Sequence, residues 1–135
     1  MFCGVNEKFQ QAIEVFNRGE YFDAAERFEY AAATLDDELK ALAGALNRIA
    51  AALHLRFERG GRQAAVNLLS QAMLLLDDMK PERGGINIER LYAELHAYTE
   101  EIRATPRDER YGLKHRARLF VERRRAPRIE RAPKP

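Results

Sequence analysis

The chain has 135 residues, of which 46% are hydrophobic and 33% are charged, a balance that is ordinary for one globular domain with a modest core. No apolar run approaches the length needed to cross a bilayer, and the first residues lack the basic-then-apolar layout of a signal peptide. The single cysteine, Cys3, excludes an intramolecular disulfide framework and fits a reducing compartment. We therefore expect a cytoplasmic protein.

The formal net charge of +2 conceals two regions of opposite sign. Residues 1–102 carry 11 Lys and Arg against 17 Asp and Glu, a net charge of −6. Residues 103–135 carry 12 Lys and Arg against 4 Asp and Glu, a net charge of +8. Such asymmetry is typical of a charged tail that meets an oppositely charged partner or surface. We predict a helical bundle domain at 1–104 and a basic, Arg/Pro-rich C-terminal extension at 105–135.

Two helices are predicted near the N-terminus from apolar residues at three- and four-residue spacing. In the first helix these residues are Phe9, Ala12, Ile13 and Phe16. Gly19 suits the left-handed residue that ends a helix, because glycine has no Cβ to clash. The second helix is predicted over about 20–33, and its apolar face carries Tyr21, Ala24, Phe28 and Ala31 or Ala32.

Three further helices are predicted over about 37–59, 62–79 and 88–103. The 37–59 helix, which Asp36 or Asp37 would cap, is broadly apolar, and we expect it at the centre of the bundle. Residues 81–85 are predicted to form a loop. No segment alternates as a strand would, so the predicted fold is all-α, a compact bundle of about five helices.

A partial internal repeat links the second and fourth helices. An alanine, a larger apolar residue and a second alanine occur twice at the same spacing, as Ala24, Phe28 and Ala31 and, 41 residues later, as Ala65, Leu69 and Ala72. Small residues at such positions let two helices approach closely, as in the second helix of a tetratricopeptide unit. Because a third copy is missing, we favour a compact bundle with a tetratricopeptide-like hairpin over a repeat array.

The run Gly19-Glu20-Tyr21-Phe22-Asp23-Ala24-Ala25-Glu26, with Glu29 three residues on, resembles the opening motif of the domain of unknown function 309 family. Members of that family show Phe-Asn-x-Gly-Glu-Tyr-Phe-Glu-Ala-His-Glu at this place. The resemblance continues through residues 50–54 and closes at the turn Gly85-Ile86-Asn87-Ile88, so that it covers roughly residues 6–102. It implies a small helical bundle and no established activity.

Two positions depart from the pattern of that family. Ala25 stands where the family carries histidine, and Ala32 stands where it usually carries tryptophan. Because alanine can neither titrate nor bind a metal, any metal or acid–base chemistry built on that histidine is in doubt for this chain. Glu26 and Glu29 remain one helical turn apart, and with His54 they form a possible vestigial polar site.

Each member of that polar set also has a purely structural interpretation. Glu26 and Glu29 would form a solvated face or pair with Arg27 or Arg48, and His54 would be a satisfied core or groove residue. The three histidines show no zinc-type spacing, and Ser70, the single serine, lies inside a predicted helix. We therefore predict no catalytic residue, no bound metal and no cofactor.

The C-terminal extension contains the remaining candidate site. A helix is predicted over 111–124, with an apolar stripe of Leu113, Ala117 and Phe120 or Val121. The candidate binding residues are cations of this segment: Arg110, Lys114, Arg116, Arg118, Arg123, Arg124 and Arg125. Residues 126–135 are basic and rich in proline, and we predict that they are disordered on their own.

The partner of this extension stays open at this point. Arginine binds phosphates in two-point fashion and stacks on bases, so RNA or a ribosome is one candidate. The others are a protein partner, the acidic body of the chain itself and an anionic membrane surface. We expect a non-enzymatic interaction or scaffold protein whose helical body and basic tail bind a protein or ribonucleoprotein partner. The alternative is an enzyme-like, small-ligand-binding or metal-binding family member with a degenerate site.

Overall fold

The computed structural model describes residues 7–59, 61–105 and 113–133, without the side chains of residues 59 and 113–115. This part of the chain is an all-α, compact helical bundle, as the sequence predicts. Its elements follow the order α1 (Glu7–Asn17), α2 (Tyr21–Ala32), α3 (Asp37–Arg59), α4 (Gln63–Asp77), β1 (Glu82–Arg83), β2 (Ile86–Asn87), α5 (Ile88–Arg103) and α6 (Leu113–Arg124).

The turn between α1 and α2 forms as the sequence predicts. Gly19 has a φ of +84°, a conformation that glycine adopts without a steric penalty. The backbone N–H of Glu20 donates to the carbonyl of Val15 at 3.2 Å, which satisfies one of the last carbonyls of α1. The turn brings Phe28 of α2 onto Phe9 of α1, with ring centroids 5.8 Å apart in an edge-to-face arrangement.

Helix α3 lies between α2 and α4 and contributes more buried residues than any other described helix. The Asp36 side chain accepts a hydrogen bond from the Leu39 backbone N–H at 3.0 Å, so Asp36 caps this helix. The six residues of the internal repeat are all fully buried in α2 and α4: Ala24, Phe28, Ala31, Ala65, Leu69 and Ala72. Their small members therefore lie at helix contacts, and the likeness to a tetratricopeptide hairpin stays a prediction.

The segment predicted as a loop at 81–85 contains part of a short antiparallel hairpin. Glu82 faces Asn87, and Arg83 faces Ile86. Gly84 and Gly85, with φ of +61° and +79°, supply the two positive-φ residues that a tight hairpin turn requires. The expectation that no strand forms is therefore wrong at this place, because four residues around a glycine pair are too few to show alternation.

Residues 126–133, here called the C-terminal strap, pack on the bundle without forming a helix, and Arg131 forms an isolated antiparallel bridge with Ile86. Asn17 donates to the carbonyl of Ile129 at 2.8 Å and accepts from the N–H of Ile129 at 2.9 Å. The Ile129 side chain is 1% exposed and belongs to the core. Ala132 donates its backbone N–H to the carbonyl of Gly85 at 2.9 Å. The predicted disorder is thus wrong for 126–133, because one amide side chain and one core site hold this segment.

Helix α6 attaches to the bundle by a charged residue and not by the predicted apolar stripe. Phe120 and Val121 are 61% and 47% exposed, whereas Glu122 is 2% exposed. The carboxylate of Glu122 accepts from Arg56 Nε at 2.8 Å, from Arg56 Nη2 at 2.9 Å and from the Tyr98 hydroxyl at 2.7 Å. The stripe prediction is wrong for Phe120 and Val121, because this buried polar network sets the rotation of α6 about its axis. The side chain of Leu113, the first residue of that stripe, lies outside the described residues.

We predict that Glu122→Gln lowers the free energy of unfolding by about 3 kcal/mol or more, because it leaves the buried guanidinium of Arg56 without its carboxylate. Chemical denaturation measures the change. The matched control is Glu101→Gln, whose partner Arg125 is 65% exposed, and it should cost less than about 1 kcal/mol. Replacing the whole network, Arg56→Met and Glu122→Leu together with Tyr98→Phe, should recover most of the loss, because the buried Tyr98 hydroxyl would otherwise lose its acceptor. Equal losses in Glu122→Gln and Glu101→Gln would contradict this assignment.

We also predict a decline in stability at alkaline pH that depends on Tyr98. Burial and then the adjacent Glu122 carboxylate raise the pKa of Tyr98 far above its ordinary value of about 10. Above pH 10 the unfolded chain releases this proton and the folded chain keeps it, so stability falls as pH rises, by about 1.4 kcal/mol per pH unit. Urea titrations between pH 9 and 11 should show a shallower decline in Tyr98→Phe. Parallel curves for the two proteins would refute the assignment.

Candidate functional site

Two adjacent cavities open between α2 and α3, and we call them together the α2–α3 groove. The acidic cavity has a volume of about 350 Å³ and is lined by Phe22, Ala25, Glu26, Glu29, Asn47 and His54 among others. The aromatic cavity has a volume of about 320 Å³, and its lining includes Tyr21, Phe22, His54, Phe57, Glu58 and Arg123. The two cavities share Phe22 and His54, so one surface runs along both helices.

The structure brings together the three residues of the predicted polar site. Glu26 and Glu29 project from α2 and His54 from α3, and all three line the acidic cavity. The amide of Asn47 on α3 donates to the carbonyl of Ala25 on α2 at 2.7 Å, which holds the two helices in register at this point. Ala25 lines the same cavity, so the position of the missing histidine also belongs to this site.

Arg27 and Arg48, the expected partners of these glutamates, contact other residues instead. Arg27 Nε lies 3.1 Å from Asp23, one turn away on the same helix face. Arg48 donates to the carbonyl of Gly44 at 3.0 Å and lies 3.4 Å from the Gln71 side chain. Both glutamates are exposed, so the carboxylates form an acidic rim on the cavity.

Phe22 is the member of this surface that sequence reasoning missed. Its ring is 58% exposed and lies 5.1 Å from the imidazole of His54, measured between ring centroids. The apolar spacing of α2 places Tyr21, Ala24 and Phe28 in the core, so Phe22 falls on the other side of the helix. A large aromatic residue outside the buried stripe is the signal that could have identified it.

A cation from the C-terminal extension lies against the rings of the aromatic cavity and forms part of its wall. The guanidinium carbon of Arg123 lies 5.6 Å from the ring centroid of Tyr21 and 5.5 Å from that of Phe57. Arg123 Nη2 donates to the carbonyl of Gly19 at 2.7 Å. Burial raises the pKa of Tyr21, and the positive charge of Arg123 partly opposes that effect. This arginine therefore makes cation–π and hydrogen-bond contacts at once.

The other described cations of the extension have different neighbours, although Arg118 and Arg125 line one cavity between α5 and α6. Arg125 lies 3.2 Å from Glu101 on α5, and Arg124 lies over the ring of Phe120 at 4.7 Å. Arg116 is exposed and Arg118 is half-buried. Arg110 and the side chain of Lys114 lie outside the described residues. The extension thus docks on the acidic body of the chain through several arginines. The acidic body was one of the candidate partners that the sequence left open.

Within residues 7–59, 61–105 and 113–133, no group of three His, Cys, Asp or Glu side chains is placed to hold a metal ion. Over the same residues, no helix combines the length and the apolar character that a membrane span requires.

Comparison with known proteins adds one relative. An uncharacterized protein from Aquifex aeolicus (strain VF5) is 31% identical over 114 residues, which cover 80% of this chain and 33% of that protein. The chain therefore spans about a third of the length of this relative. No family model matches the chain, and no solved structure matches it. The likeness to the domain of unknown function 309 family stays a prediction.

We predict that Phe22 can be removed without loss of the fold. Phe22→Ala should lower the free energy of unfolding by less than about 1 kcal/mol, because most of the ring is already in water. Phe28→Ala, on the buried side of the same helix, should cost about 3–5 kcal/mol. Thermal and urea denaturation of both variants provide the measurement. A loss in Phe22→Ala as large as that in Phe28→Ala would show that Phe22 is a core residue.

Proposed function

We propose that this protein is a non-enzymatic interaction module whose α2–α3 groove binds a protein partner. The observation that carries the proposal is the exposed ring of Phe22, which stands between two cavities rimmed by carboxylates. Exposed aromatic side chains supply large contact area at a low cost in conformational entropy, and they are enriched where proteins bind each other. The residues on either side are polar enough to form the rim of such a contact.

The groove lies on rigid elements, which supports this proposal. Phe22 and Glu26 project from α2 and His54 from α3, and the two helices are joined by the bond from Asn47 to Ala25. The buried faces of both helices belong to the core of the bundle. A surface held in this way changes little when a partner binds, so little of the binding free energy is lost to ordering.

A small-ligand site is the second candidate, and the meeting of Glu26, Glu29 and His54 at one cavity favours it. A volume of about 350 Å³ falls at the small end of ligand pockets. Two carboxylates beside an imidazole suit a small organic cation better than an anion. This candidate corresponds to the alternative of a ligand-binding protein with a degenerate site, in which Ala25 replaces a histidine.

RNA or a ribosome stays a third proposal, through the cations of the C-terminal extension. Arg116, Arg123, Arg124 and Arg125 are all exposed, and Arg123 and Arg125 also contact the body of the protein. A nucleic-acid site that used all four cations would therefore have to release Arg123 and Arg125 from those contacts. We favour the protein partner because the α2–α3 groove already exists in the folded chain.

Site-specific photo-crosslinking tests the proposed function. A photoreactive phenylalanine analogue replaces Glu29 in the groove of the full chain, and in a matched control it replaces Leu74, which is 77% exposed on α4. In extracts of the cells of origin, the Glu29 position should give a defined protein adduct that resists nuclease. Adding Phe22→Ala to the Glu29 probe should reduce that adduct by about fivefold or more.

Three outcomes of the crosslinking would overturn the proposal. The first is the same set of adducts from the Glu29 and Leu74 positions, which would mean random collision. The second is an adduct that nuclease removes, which would favour RNA. The third is the absence of any macromolecular adduct, which would leave the small-ligand candidate.

A further inference from the structure

We infer that the aromatic cavity is an arginine-binding site, and that the α2–α3 groove takes a basic peptide segment that inserts an arginine side chain there. This inference rests on the proposed function and adds the chemistry of the partner. In the folded chain Arg123 occupies the site as an internal ligand. A partner arginine would take its place over Tyr21 and Phe57.

The contacts of Arg123 describe what the site recognises. The guanidinium carbon of Arg123 lies 5.6 Å from the ring centroid of Tyr21 and 5.5 Å from that of Phe57. One N–H of the same guanidinium donates to the carbonyl of Gly19. That carbonyl lies in the turn between α1 and α2, at the end of the aromatic cavity. Arginine can stack and donate hydrogen bonds at the same time, whereas the ammonium of lysine is a compact, strongly hydrated charge. The site is therefore expected to select arginine over lysine.

The charge around the site complements a basic segment. Glu20, Asp23 and Glu58 line the aromatic cavity, where Glu20 also pairs with Arg18 and Asp23 with Arg27. Glu26 and Glu29 line the adjacent acidic cavity. The extension, with a net charge of +8, docks on residues 1–102, with a net charge of −6, so the attraction of the groove for cations comes from the carboxylates that line it and not from the charge of the whole chain. A peptide that follows the groove from one cavity to the other meets carboxylates along its whole path.

Arg123 is bound in a way that permits exchange. Its side chain is exposed, and its contacts are two ring faces and one carbonyl. Arg56, by contrast, is 2% exposed and paired with the buried carboxylate of Glu122, one residue before Arg123 on α6. The buried pair fixes α6 on the bundle, so Arg123 can leave the aromatic cavity by rotation of its side chain while the helix stays in place.

Binding of arginine peptides to two neighbouring variants tests this inference. Arg123→Ala empties the site, and Arg124→Ala removes the same charge from the next residue, which lies over Phe120 instead. The probes are peptides of alternating glycine with arginine, lysine or neutral citrulline, and calorimetry or fluorescence anisotropy measures their Kd. Arg123→Ala should bind the arginine peptide about fivefold more tightly than Arg124→Ala does, the factor that one exposed cation–π contact supplies.

The other probes separate site recognition from general charge attraction. The lysine peptide should bind both variants equally, and the citrulline peptide should bind neither. Adding Glu58→Gln to Arg123→Ala should weaken the arginine peptide by about threefold, because a carboxylate of the cavity is lost. Equal Kd values of Arg123→Ala and Arg124→Ala for the arginine peptide would overturn the inference. The inference would also be overturned if the lysine peptide bound Arg123→Ala as tightly as the arginine peptide does, or if the arginine peptide did not bind Arg123→Ala at all.

The crosslinking and peptide-binding results together distinguish a failure of the arginine-site inference from a failure of the proposed protein-binding function. A groove-specific protein adduct at Glu29, combined with no arginine selectivity, leaves the interaction module and removes the arginine site. Arginine selectivity without any protein adduct keeps the site and removes the protein partner. Thermal denaturation of Arg123→Ala and Arg124→Ala confirms that both variants are folded when their Kd values are compared.

Discussion

The architecture depends on a buried ion pair between Arg56 and Glu122, two residues that are each 2% exposed. Taking two charges out of water is costly, and such a pair is stable only when its geometry is good and its remaining hydrogen-bonding groups are satisfied. Here two nitrogens of Arg56 reach the two carboxylate oxygens, and the Tyr98 hydroxyl adds a third bond. These contacts connect α3, α5 and α6, so the basic extension becomes part of the bundle.

The same contact determines what the neighbouring residues of α6 can do. With Glu122 directed inward, Arg123 reaches the rings of Tyr21 and Phe57, while Phe120 and Val121 are left on the surface. The arginines of the extension therefore make two kinds of contact. Arg125 forms an ion pair with Glu101 on the body, whereas the guanidinium of Arg123 lies over two aromatic rings. Only the second has the geometry of a recognition site, and it lies beside the groove that we propose for a partner.

Most of the helical architecture could be predicted from the sequence because its signals are local. The bounds of α3 and α5 match the predicted 37–59 and 88–103, and the turn at Gly19 forms where a residue without Cβ is needed. The C-terminal strap could not be predicted, because the partners of Ile129 are on Asn17, 112 residues away. A proline-rich, basic composition predicts disorder only while no core site for its one large apolar side chain is known.

The sequence by itself determined which segments are helical, which faces of α1 and α2 are buried, and that Glu26 and Glu29 share one face of α2. Each of these depends on the 3.6-residue period, which can be counted along the chain. Only the tertiary structure decided that His54 meets those glutamates, that Phe22 stands exposed between two cavities, and that Arg123 lies over Tyr21 and Phe57. Such distances depend on how the helices pack against one another, and a single buried carboxylate at Glu122 sets that packing for α6.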